Sequence, residues 1–356
     1  MCLVLSSMRV SDFDFELPAE LIAQAPASER GTSRLLVVDR THGKLTDRHV
    51  SDLPELLTPG DLIVINDTRV IPARLLGQRV PTGGAVECLL LSRLEGDRWD
   101  ALMHPGQKLR EGSRVVFTGG GFRLHGEVLT RRFHGRRTVS LWTDDGVSVD
   151  HIVDTLGHIP LPPYIKRPDG PTDRERYQTV YAQSRGSVAA PTAGLHLTAG
   201  LLQRCLTRGI EVARVTLHVG YGTFSPVRVE WVEDHAVEPE RYDVPAGTAE
   251  AVNRAVNEGR RVVAIGTTTT RTLETAVRVG RHGYLSPGGG VSELFLYPGV
   301  PFRLVNALLT NFHLPQSSLL FLVSAFAGRD RVLKAYAEAV RRRYRFYSYG
   351  DAMLIL

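Results

Sequence analysis

The feature that most constrains the fold is a change of pattern between residue 75 and about residue 149. Here five short runs alternate apolar with polar residues, with glycine-rich or charged turns between them: residues 87–91, 99–103, 113–117, 126–131 and 138–142. Short strands at regular spacing without helical periodicity are typical of a small antiparallel barrel or sandwich. This stretch therefore predicts a β-domain of its own.

On both sides of this stretch, the pattern is that of alternating helices and strands. An apolar strand is predicted at 62–66, and the second half alternates helices (from Thr198, 249–257, 270–279) with strands (210–219, 261–265). A helix is also expected from Asp173 to residue 182. We predict an α/β layered main domain built from both ends of the chain, 1–74 and 153–356, with a small antiparallel β-barrel domain inserted at 75–152.

Composition bounds the class of protein. Apolar residues make up 43% and charged residues 23%, which is typical of soluble globular chains, and the longest apolar stretch, 319–327, is far too short for a bilayer. Cys2, Cys88 and Cys205 form neither a CxxC pair nor a zinc spacing, so a reducing cytoplasm and no disulfide framework are expected. The net charge of +5 fits a polyanionic partner. Since no long apolar heptad demands a partner, we expect a monomer.

Three segments set a histidine among Gly, Pro, Thr or Asn beside a short apolar run. They are 189–197, 216–224 and 310–318, and they carry His196, His218 and His313. Such segments are either three walls of one site or three ordinary turns. Histidine is the natural general base near neutral pH, although a lone histidine is more often structural. None has the spacing of a helical metal pair, so no metal is predicted.

Residues 261–273 read as strand, glycine turn, threonine cluster and helix. Free amides and hydroxyls at a helix start suit an anionic group, and the absence of lysine excludes a Walker-type phosphate loop. Arg271 could hold a ligand carboxylate and Glu274 could hold ribose hydroxyls. The alternative is a capped helix with an Arg–Glu surface pair.

Two basic runs suit an RNA backbone with an unstacked base. The first combines Arg131, Arg132, His134, Arg136 and Arg137 around Phe133 on one predicted hairpin. The second, residues 341–345, lies beside several aromatic residues, part of which must be core. A solvated hairpin is the alternative interpretation of the first run.

Eight motifs in order make a family resemblance specific. They are NDTRVIPARL (66–75), GHIPLPPY (157–164), AAPTAGLH (189–196), LHVGYGTFSPV (217–227), GTTTTRTLE (266–274), TNFHLP (310–315), LVSAFAG (322–328) and the segment 344–355. From about Met8 to Leu356 the chain resembles the S-adenosylmethionine:tRNA ribosyltransferase-isomerase family of queuosine biosynthesis. The resemblance implies an α/β domain interrupted by a β-barrel, in agreement with the pattern above.

The resemblance also implies an unusual reaction. S-adenosylmethionine is the co-substrate and donates its ribosyl group to 7-aminomethyl-7-deazaguanine at the wobble position of the tRNA anticodon. The products are epoxyqueuosine-tRNA, adenine and methionine, and no bound cofactor is expected. The site must supply a base for the carbon next to the sulfonium, a proton for adenine, and a cation or helix N-terminus for the methionine carboxylate.

The roles that follow from this resemblance are expectations. His196 or His218 is the expected base. The residues expected to bind S-adenosylmethionine or the modified base are Asn66, Asp67, Arg69, Glu87, Thr192, Gly194, Gly220, Thr267, Thr268, Arg271, Glu274, Asn311 and His313. Those expected to bind tRNA are Arg131, Arg132, Arg136, Arg137, Arg341, Arg342 and Arg345.

The chain departs from the usual family pattern at a few positions. Val237, Glu238, Pro239 and Glu240 stand where Met-His-Ser-Glu is common, residues 291–293 replace Trp-Thr-Asp, and Asn306 replaces an aspartate.

Two rival functions stay open. A conventional methyltransferase would release S-adenosylhomocysteine, but no strand followed by a glycine-rich turn and a helix occurs near the start. A non-catalytic tRNA-binding protein would bind RNA with steep salt dependence and no donor affinity.

Overall fold

The computed structural model describes residues 7–132 and 135–356. The strands, numbered in chain order, are β1 (Arg34–Val38), β2 (Leu45–His49), β3 (Leu62–Asn66), β4 (Thr68–Val70), β5 (Arg74–Val80), β6 (Ala85–Arg93), β7 (Arg98–His104), β8 (Arg114–Gly119), β9 (Phe122–Arg131), β10 (Arg136–Trp142), β11 (Ser184–Ser187), β12 (Glu211–Leu217), β13 (Glu240–Val244), β14 (Val262–Ile265), β15 (Gly288–Ser292), β16 (Ala307–Asn311) and β17 (Ala352–Ile355). The α-helices are α1 (Leu53–Leu56), α2 (Val149–Leu156), α3 (Asp173–Arg176), α4 (Ala199–Thr207), α5 (Ala246–Asn257), α6 (Thr267–Val279), α7 (Ser318–Ala327) and α8 (Arg329–Arg341).

A nine-stranded mixed sheet forms the main domain, in the order β15-β13-β12-β3-β14-β16-β17-β1-β2. Its centre is parallel, because β3 pairs with β12 and β14, and β14 pairs with β16. Along β3, Leu62 and Val64 enter one hydrophobic core, while Ile63 and Ile65 enter the other. The uninterrupted apolar sequence of β3 therefore fits a strand that is buried on both faces.

Helices cover both faces of this sheet. Leu201 and Cys205 of α4 pack into the core that contains Ile63, and helices α5 to α8 contribute to the opposite core. Residues from both ends of the chain meet in the sheet, since β1 pairs with the C-terminal strand β17. No helix in the described part of the chain is long and apolar enough to cross a membrane.

The inserted domain is a closed barrel with the strand order β10-β7-β6-β5-β8-β9. Strand β5, which the sequence pattern did not reveal, closes it by pairing with β6 and β8. Helix α2 packs against the barrel core through Ile152 and Val153. The chain enters and leaves the barrel at one place, where Arg74 and His158 form a β-bridge. The predicted fold class, an α/β domain with an inserted antiparallel barrel, is confirmed.

One predicted helix is wrong. The helix expected at 173–182 ends at Arg176, after a single turn. The Asp173 carboxylate is occupied by Arg167, the Gly170 amide and the Tyr349 hydroxyl. The chain then turns so that Tyr177 becomes fully buried, and tertiary burial thus overrides local helix propensity.

Candidate active site at the carboxyl edge of the sheet

A cavity of about 560 Å³ lies at the carboxyl ends of the parallel strands β12, β14 and β16. Residues 190–193, Val219, 223–227, 266–268 and 310–319 line it. All three histidine-bearing segments therefore contribute residues to the wall of one cavity. The carboxyl edge of parallel strands is where open α/β sheets usually bind ligands, because the loops there diverge.

Two helix N-termini reach this cavity. Helix α6 begins directly after Gly266, whose φ of 91° allows the sharp turn from β14, and Thr267 and Thr268 line the cavity. Helix α7 begins after Ser317, which also lines the cavity and caps the helix by accepting a hydrogen bond from the Leu320 amide at 3.3 Å. Both termini supply free amides and positive dipole ends, so the cavity favours an anionic group.

An aromatic wall completes the cavity. The rings of Tyr164 and Tyr347 lie 4.1 Å apart, and Phe224 meets Tyr164 edge to face at 6.1 Å. Tyr347 adopts a φ of 74°, which is uncommon for a bulky residue and is typical of functional sites. These aromatic side chains were missing from the predicted site, although Tyr164 and Phe224 stand in the motifs GHIPLPPY and YGTF. Such a wall suits a planar heterocycle.

His313 is the one predicted histidine that lines the cavity. Its Nε2 is 2.9 Å from the Thr310 hydroxyl, and its backbone amide donates to the Tyr336 hydroxyl. Burial lowers the pKa of His313 to about 3, so the ring is neutral near pH 7. Among the described residues, nothing is hydrogen-bonded to its Nδ1.

His196 lies behind the cavity and does not line it. Its Nδ1 is 3.0 Å from the Ser33 hydroxyl, and its Nε2 is 3.0 Å from the Asn311 amide. Asn311, which does line the cavity, also donates to the Tyr347 carbonyl. Burial, with smaller contributions from two arginines, lowers the pKa of His196 to about 4. His196 therefore fixes Asn311 at the cavity wall.

Three predicted site residues at or beside the end of β3 lie outside the cavity wall. His218 is half-buried, with Nδ1 at 2.9 Å from the Thr68 hydroxyl, and burial lowers its pKa although Asp67 opposes the change. Asp67 accepts from the Thr216 hydroxyl at 2.7 Å. Asn66 accepts from the Thr68 amide and donates to a backbone carbonyl. None of His218, Asp67 and Asn66 lines the cavity.

Of three further residues that were predicted to bind the ligand, one lines the cavity and two glycines do not. Thr192, like Thr267 and Thr268, lines the cavity. Gly194 is buried against Tyr181, where a Cβ would overlap the tyrosine hydroxyl. Gly220 donates its amide to Glu240 at 2.9 Å.

A second cavity of about 960 Å³ adjoins the first, and both share residues 223–226 and 318–319. It lies between the two domains, because Leu91, Leu102, Arg132 and Arg136 line it from the barrel. The wall from the α/β domain includes residues 221–226, 228–229 and 235–238.

Arg271 faces this second cavity but is paired internally. Its guanidinium forms an ion pair with Glu240 and donates to the carbonyls of Leu294 and Ser292 at 3.2 and 3.3 Å. Burial raises the pKa of Glu240, and the neighbouring Arg271 opposes that rise. The predicted contact with a ligand carboxylate would require Arg271 to leave this pair.

Glu274, Glu87 and Arg69 line neither cavity. Glu274 is fully buried and accepts from the amides of residues 303–305 and from Arg278. Glu87 forms a two-point ion pair with Arg74 on the barrel. Arg271 and Glu274 are three residues apart in the sequence, but they do not pair with each other. Arg271 pairs with Glu240, and Glu274 pairs with Arg278.

The predicted RNA-binding arginines are in different environments. Arg137 is buried and donates to four backbone carbonyls, and Arg136 pairs with Asp100 at 2.8 Å. Arg131 and Arg132 are exposed at the end of β9, while Phe133 and His134 lie outside the described residues. Arg341, Arg342 and Arg345 contact Glu338, Asp47 and backbone carbonyls, and they line neither cavity.

Within residues 7–132 and 135–356, no cluster of three or more His, Cys, Asp or Glu side chains is placed to hold a metal ion. The cavity walls instead offer hydroxyls, amides and aromatic rings, which suit an organic ligand with an anionic end.

Comparison with known proteins places this architecture in a family. The model of the family "Queuosine biosynthesis protein" matches residues 10–355. The chain is 53% identical to the S-adenosylmethionine:tRNA ribosyltransferase-isomerase of Symbiobacterium thermophilum and 49% identical to that of Desulfitobacterium hafniense, in each case over 98% of this chain and 100% of the relative. A crystal structure of S-adenosylmethionine tRNA ribosyltransferase from Thermotoga maritima is 38% identical, with a TM-score of 0.55 over 97% of this chain and 100% of that chain.

The chain therefore belongs to the queuosine biosynthesis protein family, as the motifs predicted. Its relatives are transferases, and the predicted enzyme class is confirmed.

Proposed function

We propose that this protein transfers and isomerises the ribosyl moiety of S-adenosylmethionine onto 7-aminomethyl-7-deazaguanine at the wobble position of tRNA, with release of adenine and methionine. The observation that carries the proposal is the cavity at the carboxyl edge of the sheet, where two helix N-termini and an aromatic wall meet. A donor with a carboxylate at one end and a planar base at the other needs both features.

The features of the cavity define one orientation for the bound donor. Its methionine carboxylate is matched by the amides at the start of α6, next to Thr267 and Thr268. Its adenine is matched by the aromatic wall of Tyr164, Phe224 and Tyr347. In this orientation the amides at the start of α6 bind the methionine carboxylate, and Arg271 is not needed for it. A direct contact between Arg271 and that carboxylate stays a prediction.

The reaction needs a base that removes a proton from the ribose carbon next to the sulfonium. His196 or His218 stays our prediction for this base, but neither lines the 560 Å³ cavity or the 960 Å³ cavity, so either would have to reorient to reach a donor bound there. His313 is a third candidate, because it lines the cavity, is neutral, and has Nδ1 free of partners in the described part of the chain. The protonated ring could then deliver its proton to the leaving adenine.

The acceptor amine must be neutral when it attacks. An apolar surrounding lowers the pKa of an amine, and the surface shared by the two cavities contains Phe224, Pro226 and Leu319. We therefore propose that the ribosyl group passes from donor to acceptor at this shared surface. We also propose that the protein acts as a monomer.

Mass analysis of products tests the proposal directly. The purified protein is mixed with S-adenosylmethionine and tRNA that carries 7-aminomethyl-7-deazaguanine. Free adenine and methionine together with a ribosyl-derived mass gain on the tRNA are expected. A methyl-sized gain with S-adenosylhomocysteine would replace the proposal by a methyltransferase, and RNA binding without any product would replace it by a non-catalytic RNA-binding protein.

Single variants then assign the base. His313→Asn, His196→Asn and His218→Asn are compared by the rate of adenine release under saturating substrates. Loss of a general base costs about 10²–10⁴-fold in rate. The true base should show that loss with an unchanged donor KM, whereas a residue that only positions Asn311 should alter KM as well.

A further inference from the structure

The cavity between the barrel and the α/β domain carries an excess of positive charge. Four arginines line it, against the carboxylates of Glu238 and Glu240, and the arginines are Arg132, Arg136, Arg228 and Arg271. Arg271 and Glu240 neutralise each other as a buried pair. The remaining charge is therefore positive, and it belongs to side chains near the surface.

Two of these arginines have no carboxylate partner among the described residues. Arg132 extends from the barrel at the end of β9, and Arg228 extends from the α/β domain. Both are exposed, so their guanidinium groups are accessible from solvent. A pair of unneutralised guanidinium groups on opposite walls of one cleft is matched to a polyanion that runs through the cleft.

Arg136 lies on the same barrel wall but is partly neutralised. Its Nε donates to the buried Asp100 carboxylate at 2.8 Å, and its Nη1 is 3.5 Å from Glu238 across the cleft. The second contact is too long for a good hydrogen bond, and both side chains are more than one-third exposed. An exposed pair of this kind is weak and can be displaced by a phosphate at little cost.

Glu238 lies close to Gly222. A Cβ built on Gly222 would lie 2.8 Å from the Cγ of Glu238, so this side chain stands over the turn 221–224 in the wall of the interdomain cavity. Glu238 therefore puts a negative charge beside the cleft arginines of this chain.

We propose that the interdomain cavity receives a nucleotide of a single-stranded RNA loop, whose flanking phosphates bind Arg132 and Arg228, and that Glu238 weakens this binding by competing for Arg136. The inference rests on the proposed function, because it names the place where that function's RNA substrate binds. The apolar wall formed by Phe224, Phe295 and Leu319 gives an unstacked base a surface to lie on.

RNA binding of single variants tests the proposal. The probe is unmodified tRNA transcript, titrated at several salt concentrations without the donor. Arg132→Ala and Arg228→Ala should each weaken binding and reduce the slope of log affinity against log salt by about 1. Glu238→Gln should tighten binding, by up to about fivefold, because Arg136 is released.

Arg208→Ala is the matched control, since Arg208 is an exposed arginine next to α4 that lines neither cavity. It should leave affinity and slope unchanged. Unchanged binding by both Arg132→Ala and Arg228→Ala, or loss of binding only on substitution of Arg341 and Arg345, would overturn the proposal.

The failure of this inference can be distinguished from failure of the proposed function. If the wild-type protein forms product while Arg132→Ala and Arg228→Ala bind RNA normally, only the location of the RNA is wrong. If Glu238→Gln weakens binding, the competition is wrong and the carboxylate instead contacts the RNA. If the variants behave as expected but no product forms, the cleft binds RNA and the proposed reaction is wrong.

Discussion

Glu274→Gln is expected to destabilise the protein strongly while leaving donor binding intact. Oε1 of Glu274 accepts from the amides of Leu304 and Val305 at 2.9 and 3.0 Å. Oε2 accepts from the Arg303 amide at 2.9 Å and from Arg278 at 2.6 Å. The side chain is fully buried. It therefore joins α6 to the segment that precedes β16.

The magnitude follows from what glutamine cannot do. The amide has the same shape, but its NH₂ group would face one set of donors, and the remaining oxygen carries no charge. Hydrogen bonds to a charged group contribute about 1.5–3 kcal/mol each, and loss of one partner of a buried ion pair costs about 3–5 kcal/mol. These contributions are not additive, so we expect a loss of about 3–5 kcal/mol in the free energy of unfolding.

Urea unfolding, followed by both circular dichroism and fluorescence, measures this loss. Glu338→Gln is the matched control, because Glu338 pairs with Arg341 and Arg342 at the surface and should leave the unfolding midpoint nearly unchanged. The donor KM of the folded Glu274→Gln protein should equal that of the wild type. An unchanged midpoint with a raised donor KM would refute the structural role and would restore Glu274 as a ligand of the donor ribose.

Three further perturbations test the remaining contacts. The free energy of unfolding should fall as pH drops below about 6.5, because burial lowers the pKa of His196 to about 4 and that of His313 to about 3. Below about pH 6.5 the unfolded chain therefore binds more protons than the folded protein. Equal urea midpoints at about pH 7 and about pH 4.5 would contradict this. Ser317→Ala should cost about 1 kcal/mol and raise the donor KM, whereas Thr198→Ala, which removes the cap of α4 away from the cavity, should cost a similar amount at constant KM. Arg271→Ala should destabilise by about 3 kcal/mol, since a buried carboxylate loses its partner; a raised donor KM at unchanged stability would instead indicate direct contact with the methionine carboxylate.

The strongest local patterns predicted the elements that they encode. The run LIVIN became the central strand β3, and the strand–glycine–threonine–helix pattern became β14 and α6. These elements are long or strongly punctuated, so local preference and tertiary burial agree. Strands β4, β5, β11, β13, β15 and β16 were missed. Strand β5 carries polar residues on its exposed face, whereas β16 is as long and as buried as β3, so its length does not explain the miss.

The histidine and acidic positions show where local reasoning ends. His196, His218 and His313 have similar sequence surroundings, yet among them only His313 lines the cavity. Likewise Arg271 and Glu274 read as one pair on a helix face, but each has another partner, Glu240 and Arg278. Whether such a side chain lines the cavity or forms an ion pair depends on residues that are distant in the sequence. A short motif contains no information about those residues.

The sequence by itself determined the family and the fold class, because ordered motifs, apolar periodicity and glycine turns are local properties of the chain. The tertiary structure alone decided which side chains face the cavity. It also decided which charges are neutralised: Arg137 is buried among carbonyls, whereas Arg132 and Arg228 line the interdomain cleft with no carboxylate partner in the part of the chain that the structure describes. The physical reason is that burial and neutralisation depend on groups brought together by folding, and these set the pKa and accessibility of every ionisable side chain.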